Sequence, residues 1–322
     1  MIGKNFKKKW KKFFSKNKGL KIFVIGLLLA LLAILLIYGS IVWKFYAGIP
    51  DVVPEDQVDS TVADVQIAQK EQKEDEVMNV LLVGTDTRDP NAEMGRSDTM
   101  MMLSYNKTKN KSTIVSFLRD SLVEIDGHGK TRLGHAYAYG GVGLTINTIN
   151  KTYDMDIQKY VTINFDNLVS VIDEIGGVNV PITEEEAAYY RNCGMPDIYA
   201  GEVTLTGSQA LVHARNRTIG SDFERSRRQR SVMYGVYKKI MEEKNPEAIM
   251  SLIVYCMDHV KTNMSVTEIY DLAMEVLTTE NLLMQQAALP QDGMYKGISY
   301  EGMDVLEIDI EANKEYLHKL LY

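Results

Sequence analysis

Residues 79–88 of this chain read Asn-Val-Leu-Leu-Val-Gly-Thr-Asp-Thr-Arg. The apolar run is short and ends in glycine, which is the pattern of a buried strand that delivers a loop at its C-terminal end. That loop contains Asp86 and Arg88. The segment therefore predicts one strand of a sheet, with an Asp and an Arg at one end.

Two further apolar strands have the same feature. Arg96 and Asp98 precede the second strand. Arg119 and Asp120 follow the third. One such pair is best explained as an ordinary ion pair, but a surface turn does not call for Arg with Asp three times. The repetition favours a site that binds phosphates and a divalent cation.

Mg²⁺ suits this pattern, because it is typically bound through one or two carboxylates together with phosphate oxygens and waters. Asp86 and Asp98 are the predicted metal ligands, and Mn²⁺ is an alternative ion.

The stretch from residue 141 to 182 predicts helices that cover the sheet. Helical spacing over 141–153 is followed by an alternating strand at 160–165 and a helix at 166–175. That helix ends on two glycines, and a new strand occupies 178–182. The strand–helix–strand rhythm predicts an α/β fold, a three-layer α/β/α sandwich with a central mixed sheet.

The chain after about residue 245 shows no motif chemistry. No linker separates it from the preceding segment, so we expect it to complete the same domain. The predicted elements are helices at 246–260, 266–277 and 312–321 and strands at 284–289 and 305–310.

Arginine is concentrated between residues 215 and 230, which hold six of the eleven arginines in a chain of net charge −7. Arginine offers a planar fork of donors that matches phosphate and carboxylate, whereas lysine offers a point charge. A solvated helix face is the plain alternative. Asp222, Arg225 and Gln229, however, share one helical face, and Arg228 three residues after Arg225 extends it into a polar face with few nearby acids. Arg215 and Arg217 are two residues apart, a spacing that points both side chains the same way in an extended segment. These patterns favour an anion clamp.

The N-terminal segment predicts a membrane anchor. Nine lysines between residues 4 and 21 precede an apolar run over 22–43. The run is long enough to cross a bilayer, and the lysines place the N-terminus in the cytoplasm. A cleaved signal peptide is the alternative, but the run is longer than the usual apolar region and no cleavage pattern follows.

The domain boundaries follow from this asymmetry. We expect a cytoplasmic basic tail at 1–21, a transmembrane anchor at 22–43, an acidic extracellular linker at 44–77 and an extracellular globular domain at 78–322. Outside the N-terminal lysines the chain is strongly acidic, which argues against nucleic acid as a partner.

Cys193 and Cys256 both lie in the predicted extracellular part, and the sequence leaves open a disulfide or two unpaired thiols. No Cys/His spacing typical of zinc is present.

Between about 79 and 240, an ordered series of motifs resembles the LytR–CpsA–Psr family. The motifs are Gly-Thr-Asp86-Thr-Arg88, Gly-Arg96-Ser-Asp98-Thr-Met, Arg119-Asp120-Ser, His135-Ala-Tyr137-Ala-Tyr139-Gly-Gly, Leu205-Thr-Gly-Ser-Gln-Ala-Leu211, Arg215-Asn-Arg217 and Asp222-Phe-Glu-Arg225-Ser-Arg-Arg228-Gln229-Arg. The chain departs from the common pattern at Arg132-Leu-Gly134 and at Ser221, which leaves polymer and acceptor preference open.

The resemblance implies a transferase at the outer face of the cytoplasmic membrane. It would move an anionic glycopolymer, such as wall teichoic acid or capsule, from a polyprenyl-pyrophosphate carrier to peptidoglycan through a phosphodiester bond. The aspartates matching Asp86 and Asp98 would bind Mg²⁺. The phosphates would be surrounded by the residues matching Arg88, Arg96, Arg119, Arg215, Arg217, Arg225 and Gln229.

The expected catalytic residues are Asp222, Asp120, Arg119 and Arg217. Arginines would stabilise the charge that develops when a pyrophosphate bond breaks, and a carboxylate would accept the proton of a sugar hydroxyl. Asp222 is the first candidate for that base and Asp120 the second.

Two other functions use the same residue types. A pyrophosphatase would share every phosphate ligand and differ only in that water attacks. A non-catalytic protein that binds polymer or regulates transcription would need no base. Its cytoplasmic tail is too short for a DNA-binding domain and suits anionic lipid headgroups.

Overall fold

The computed structural model describes residues 66–68, 76–85, 97–243 and 245–322, apart from the side chain of Asp98. All of them belong to the compact unit that begins at Glu55. The predicted tail and anchor lie outside these residues, as does most of the linker. No helix in the described part is long and apolar enough to cross a bilayer.

The described strands form three sheets. The largest has six strands in the order β10-β3-β2-β1-β6-β9, the second has the order β11-β12-β4-β5, and the third pairs β7 with β8. The strands are β1 (Val77–Thr85), β2 (Ser97–Asn106), β3 (Lys111–Phe117), β4 (Ser121–Ile125), β5 (Gly129–Arg132), β6 (Lys159–Asn164), β7 (Val178–Ile182), β8 (Gly201–Leu205), β9 (Val260–Thr262), β10 (Leu283–Leu289), β11 (Tyr295–Tyr300) and β12 (Met303–Ile308).

Eight helices in the described part cover these sheets. They are α1 (His135–Tyr153), α2 (Phe165–Glu174), α3 (Glu184–Asn192), α4 (Gly207–Arg215), α5 (Asp222–Glu242), α6 (Pro246–Met257), α7 (Val266–Thr278) and α8 (Ile310–Leu321). Helix α1 is interrupted at Gly140 and Gly141, where the backbone leaves helical geometry. The prediction of an α/β fold with a mixed sheet is confirmed, but two smaller sheets accompany the one that was expected.

The six-stranded sheet is mixed because β1 pairs antiparallel with β2 and parallel with β6. Strand β3 is buried along its whole length, since β2 and β10 pair with its two edges. One core cluster joins this sheet to α1 and α8. A second cluster packs β7 and β8 against α2, α3, α4 and α5.

The C-terminal region belongs to the same sheets as the motif region. Strand β10 pairs parallel with β3, and β12 pairs with β4. Helix α8 is held at its C-terminal end by Asn106, whose amide donates to the carbonyl of Leu321 at 2.9 Å. The predicted helix over 246–260 is shorter than expected, because β9 begins at Val260. Cys193 and Cys256 are both free thiols.

Candidate functional site

The candidate site lies at one edge of the six-stranded sheet. Strands β1, β3 and β6 all end there, and β2 begins there, because β1 and β6 are parallel while β2 is antiparallel to β1 and β3. Thr85 pairs with Ser97 beside an irregularity in the β1–β2 register. Arg119 follows β3 two residues after Phe117, and α2 begins at Phe165 directly after β6.

A cavity of about 690 Å³ opens beside this edge. Four arginines and a glutamine contribute to its wall: Arg119, Arg215, Arg217, Arg225 and Gln229. A small adjoining cleft is lined by Thr99, Arg119, Asp222 and Arg225, among others. The structure therefore brings together five of the seven residues expected to surround phosphates, from three separate parts of the chain.

Each arginine is positioned by a different element. Arg215 is the last residue of α4 and Arg217 lies in the loop after it, so the two do not form one extended segment. Both side chains are exposed in the cavity wall. Arg225 lies in the first turns of α5 and is 5% exposed. The loop between α4 and α5 thus carries exposed charge next to a buried arginine.

Part of the cavity wall is apolar and aromatic, and residue patterns did not single out this apolar wall. Phe165, Tyr189, Leu211 and Val212 line it. The guanidinium of Arg215 lies 4.5 Å from the ring centre of Phe165, a cation–π contact. Leu211 and Val212 precede Arg215 by four and three residues on one helix. That spacing is the signal from which they were predictable.

Asp120 and Asp222 form a carboxyl pair between arginines. The Nε atom of Arg119 lies 3.7 Å from an oxygen of Asp120 and 3.9 Å from an oxygen of Asp222. Asp222 also accepts a hydrogen bond from Arg225 at 2.6 Å. On the other side, Arg132 Nε is 3.4 Å from Asp120. The two candidates for the catalytic base are therefore neighbours.

The two carboxyls differ in acidity. Burial raises the pKa of Asp120, and a hydrogen bond shared with Asp222 raises it further. Burial alone would raise the pKa of Asp222 as well, but the hydrogen bond with Asp120 and the charges of Arg225, Arg119 and Arg217 outweigh it and hold this pKa below its usual range. The pair therefore titrates together, with Asp222 as its more acidic member.

Three arginines of the cluster do not face the cavity. Arg228 is completely buried; it contacts Glu186 and donates to the carbonyls of Asn216 and Ile219 at 2.7 and 2.8 Å. Arg227 binds the same carboxylate at 2.7 Å. Arg230 donates to Ser226 within its own helix. The expectation that this helical face has few nearby acids is wrong, because Glu186 from α3 neutralises part of it.

Four predicted site residues cannot be placed. Asp86, Arg88 and Arg96 lie outside the described residues. Asp98 belongs to β2, but its side chain is outside them too. In the described part of the chain, no three His, Cys, Asp or Glu side chains cluster as a metal site would require.

A profile of the LytR_cpsA_psr family matches residues 52–319. The chain belongs to this family. The resemblance seen in the motifs is confirmed, and the match extends well beyond them at both ends.

Individual members of the LytR_cpsA_psr family are similar over most of the chain. The polyisoprenyl-teichoic acid–peptidoglycan teichoic acid transferase TagU of Enterococcus faecalis is 31% identical over 303 residues, 91% of this chain and 95% of TagU. A structure of TagT bound to LI-WTA is 25% identical with a TM-score of 0.65, covering 80% of this chain and 99% of TagT. An Enterococcus faecalis structure described as a transcriptional regulator is 28% identical with a TM-score of 0.61, covering 76% and 88%.

Proposed function

We propose that this protein transfers an anionic glycopolymer, of the wall teichoic acid or capsule type, from a polyprenyl-pyrophosphate carrier to peptidoglycan. The observation that carries the proposal is the cavity at the sheet edge, where four arginines and Gln229 surround a volume of about 690 Å³ beside an ionised carboxylate. Similarity to the transferase TagU over 91% of this chain supports the same reaction.

The charged wall fits the donor. A pyrophosphate carries several negative oxygens, and arginines match them with paired donors. Breaking one P–O bond of the P–O–P bridge develops further negative charge on the bridging oxygen. Fixed cations at that point lower the barrier without having to reorganise, because they are already in place. Arg119, Arg217 and Arg225 all line the cavity and would provide this charge.

The carboxyl pair fits the acceptor. A hydroxyl of a peptidoglycan sugar would attack the phosphorus that bears the glycopolymer, forming a new P–O bond as the bond to the bridging oxygen breaks. Polyprenyl phosphate would leave. Asp222, the more acidic member of the pair, would accept the hydroxyl proton. Asp120 would orient Asp222 through their hydrogen bond.

The donor set fits Mg²⁺, or Mn²⁺ as the alternative. Residue 86 follows Thr85 directly, and residue 98 follows Ser97, which is the partner of Thr85 in the β1–β2 register. The chain thus carries two carboxylates next to one paired position. Thr99, one residue further along β2, lines the cleft that holds Arg119 and Asp222. Asp86 and Asp98 would hold the ion, which when bound neutralises charge on phosphate oxygens.

The location follows from the N-terminal sequence. We propose that residues 22–43 cross the cytoplasmic membrane once, with the N-terminus in the cytoplasm and the catalytic domain outside. This orientation brings the cavity to the side on which peptidoglycan is available. The transcription-regulator description of one similar structure does not account for a cavity of this chemistry.

The test is a transfer assay with the full chain in detergent. Polyprenyl-pyrophosphate-linked glycan, Mg²⁺ and peptidoglycan fragments are mixed with the parent protein and with an Asp98→Asn variant. We expect glycan attached to peptidoglycan by a phosphodiester, equimolar polyprenyl phosphate, and loss of both in the variant. Asp126→Asn is the matched control, because that exposed carboxylate pairs with Lys151 at the other end of β4 from Asp120 and lines neither the cavity nor the cleft.

The alternatives give different products. Release of polyprenyl phosphate and free glycan phosphate without attachment would identify a hydrolase instead of a transferase. Absence of both products with binding of the lipid intact would identify a non-catalytic binding protein. An Asp98→Asn variant as active as the parent would show that the metal ligands lie elsewhere.

A further inference from the structure

A short piece of the acidic linker is bound to the surface of the domain. The backbone N–H of Ala68 donates to the side-chain oxygen of Asn147 at 2.8 Å, and the amide of Asn147 donates to the carbonyl of Gln66 at 2.9 Å. One side chain of α1 therefore contacts the linker backbone on both sides of Ile67.

Two more contacts hold the same three residues. Gln158 donates through its side-chain amide to the carbonyl of Ala68 at 3.1 Å. Ile67 is half-buried and packs against the core cluster that includes α1. Gln66 and Ala68 are exposed. Recognition thus uses main-chain groups and a single apolar side chain, and it does not depend on the identity of the flanking residues.

The chemistry of the contact suits the linker. Residues 48–77 are rich in acids and have only two lysines. A neutral amide such as Asn147 binds backbone without attracting or repelling those acids, whereas an aspartate at the same position would repel them. Ile67 is one of two isoleucines in this acidic stretch, and its partial burial identifies which linker residue packs against the domain.

We propose that Asn147, Gln158 and the apolar site under Ile67 form a docking site for the chain's own linker, which shortens the tether between anchor and catalytic cavity. This rests on the proposed function and on the proposed anchor at 22–43. With docking, 22 residues (44–65) separate the proposed anchor from the docked segment, a contour length of at most roughly 75 Å. Without docking, residues 44–76 span at most roughly 115 Å.

Tether length sets how often the cavity meets a substrate embedded in the same membrane. The effective concentration of tethered partners falls as about the −3/2 power of linker length once the linker is long enough to reach. Releasing the docked segment would therefore lower the encounter rate with a membrane-embedded donor by about twofold. A water-soluble donor with a short prenyl chain would be unaffected, because it reaches the cavity from solution.

The experiment compares the parent with Asn147→Ala, using the full chain in lipid vesicles. Lys151→Ala, one helical turn further along α1, is the matched control, because it removes a surface ion pair with Asp126 and leaves the linker contacts intact. Deuterium uptake at Ala68 reports docking, and the melting temperature reports the fold. Transfer is measured as kcat/KM for the membrane-embedded donor and for the soluble donor.

In Asn147→Ala we expect the Ala68 amide to take up deuterium faster than in the parent, while the melting temperature is the same as that of the parent. We expect kcat/KM to fall about twofold for the membrane-embedded donor and not for the soluble donor. Unchanged exchange at Ala68 would overturn the docking site. An equal loss for both donors, or no loss for either, would overturn its role as a tether control. If the parent transfers neither donor, the proposed function fails, while the exchange result still decides the docking.

Discussion

At the scale of single residues, two arginines of one cluster have different roles in this protein. Arg217 is exposed in the wall of the cavity, where its guanidinium suits an anion. Arg228 is completely buried and binds Glu186 and two loop carbonyls. The sequence places both in one basic cluster. The difference between their roles depends on Glu186, which precedes Arg228 by 42 positions. No local sequence pattern reveals that contact.

The two arginines should respond in opposite ways to substitution. Arg217→Ala is expected to reduce transfer by at least about 100-fold and to leave the melting temperature nearly unchanged, because its side chain is exposed in the cavity wall. Arg228→Ala is expected to cost about 3–5 kcal/mol in the free energy of unfolding, because it leaves a buried carboxylate short of a partner. Transfer kinetics and denaturant unfolding of both variants check this. Equal loss of unfolding free energy in the two variants would contradict these separate roles of Arg217 and Arg228.

The carboxyl pair allows a test of which member is the base. Asp222→Asn removes the proton acceptor and should reduce kcat by roughly 10²–10⁴-fold. Asp120→Asn should retain measurable transfer, because its amide can still donate a hydrogen bond to Asp222. Steady-state rates over a range of pH decide between them. If Asp120→Asn is the more damaging change, the roles of the two carboxyls are reversed.

His213 predicts a pH dependence of stability. It is buried between the hydroxyls of Tyr190 and Ser231, and burial, helped by the charges of Arg228 and Arg227, lowers its pKa to about 4. Below about pH 6.5 the unfolded chain therefore binds a proton that the folded protein does not. The free energy of unfolding should fall as pH drops from about 6.5 to about 4, by up to about 1.4 kcal/mol per pH unit.

The check is urea unfolding of the parent and of a His213→Gln variant across that pH range. The variant should show a shallower dependence, because glutamine keeps a hydrogen-bonding side chain and does not titrate. Parallel curves for the two proteins would show that another group is responsible.

At the scale of elements, helices α2 and α4 set the shape of the apolar wall. They approach so closely at Gly207 that a Cβ there would lie 2.2 Å from the carbonyl oxygen of Val169. Gly207 is also the first residue of α4, and its N–H donates to Asp173 at 2.7 Å. The sequence predicts α2 but not α4, and the contact between the two helices depends on tertiary packing and had no local signal.

Gly207→Ala should therefore separate α4 from α2. We expect a loss of about 1–3 kcal/mol in the free energy of unfolding and weaker donor binding, because Phe165 and Val212 on the two helices would move apart. Gly297→Ala is the matched control: nothing lies within 4 Å of the position of its Cβ. Thermal unfolding and KM for the donor are the measurements. A Gly207→Ala protein as stable as the control would contradict the close contact.

At the scale of the whole molecule, the sheet edge was predictable and the extra sheets were not. Strands with an Arg and an Asp at one end indicated the edge before any coordinates, because strand ends in one sheet are neighbours. The four-stranded sheet joins β4 and β5 to β11 and β12, which are more than 150 residues apart in the chain. Such pairing follows from long-range packing, which no window of sequence contains.

The whole fold should also respond to the ligand. Inorganic pyrophosphate bound by the arginine wall stabilises the folded state by mass action, by about 2.7 kcal/mol at a hundred times its Kd. We expect a rise of several degrees in Tm for the parent and a smaller rise for an Arg217→Ala variant at the same concentration. Thermal unfolding with sulfate as the control anion checks this. Equal shifts in both proteins would place the binding elsewhere.

The cavity combines arginines with apolar and aromatic side chains, and this combination has a consequence for divergence. Arg217 and Arg225 lie on the loop and the helix that Arg228 joins through two backbone carbonyls, so substitutions that disturb this segment also disturb the fold. Phe165, Tyr189, Leu211 and Val212 do not take part in those two bonds. We expect duplicated genes of this family to diverge in substrate preference at these apolar positions while they keep the arginines.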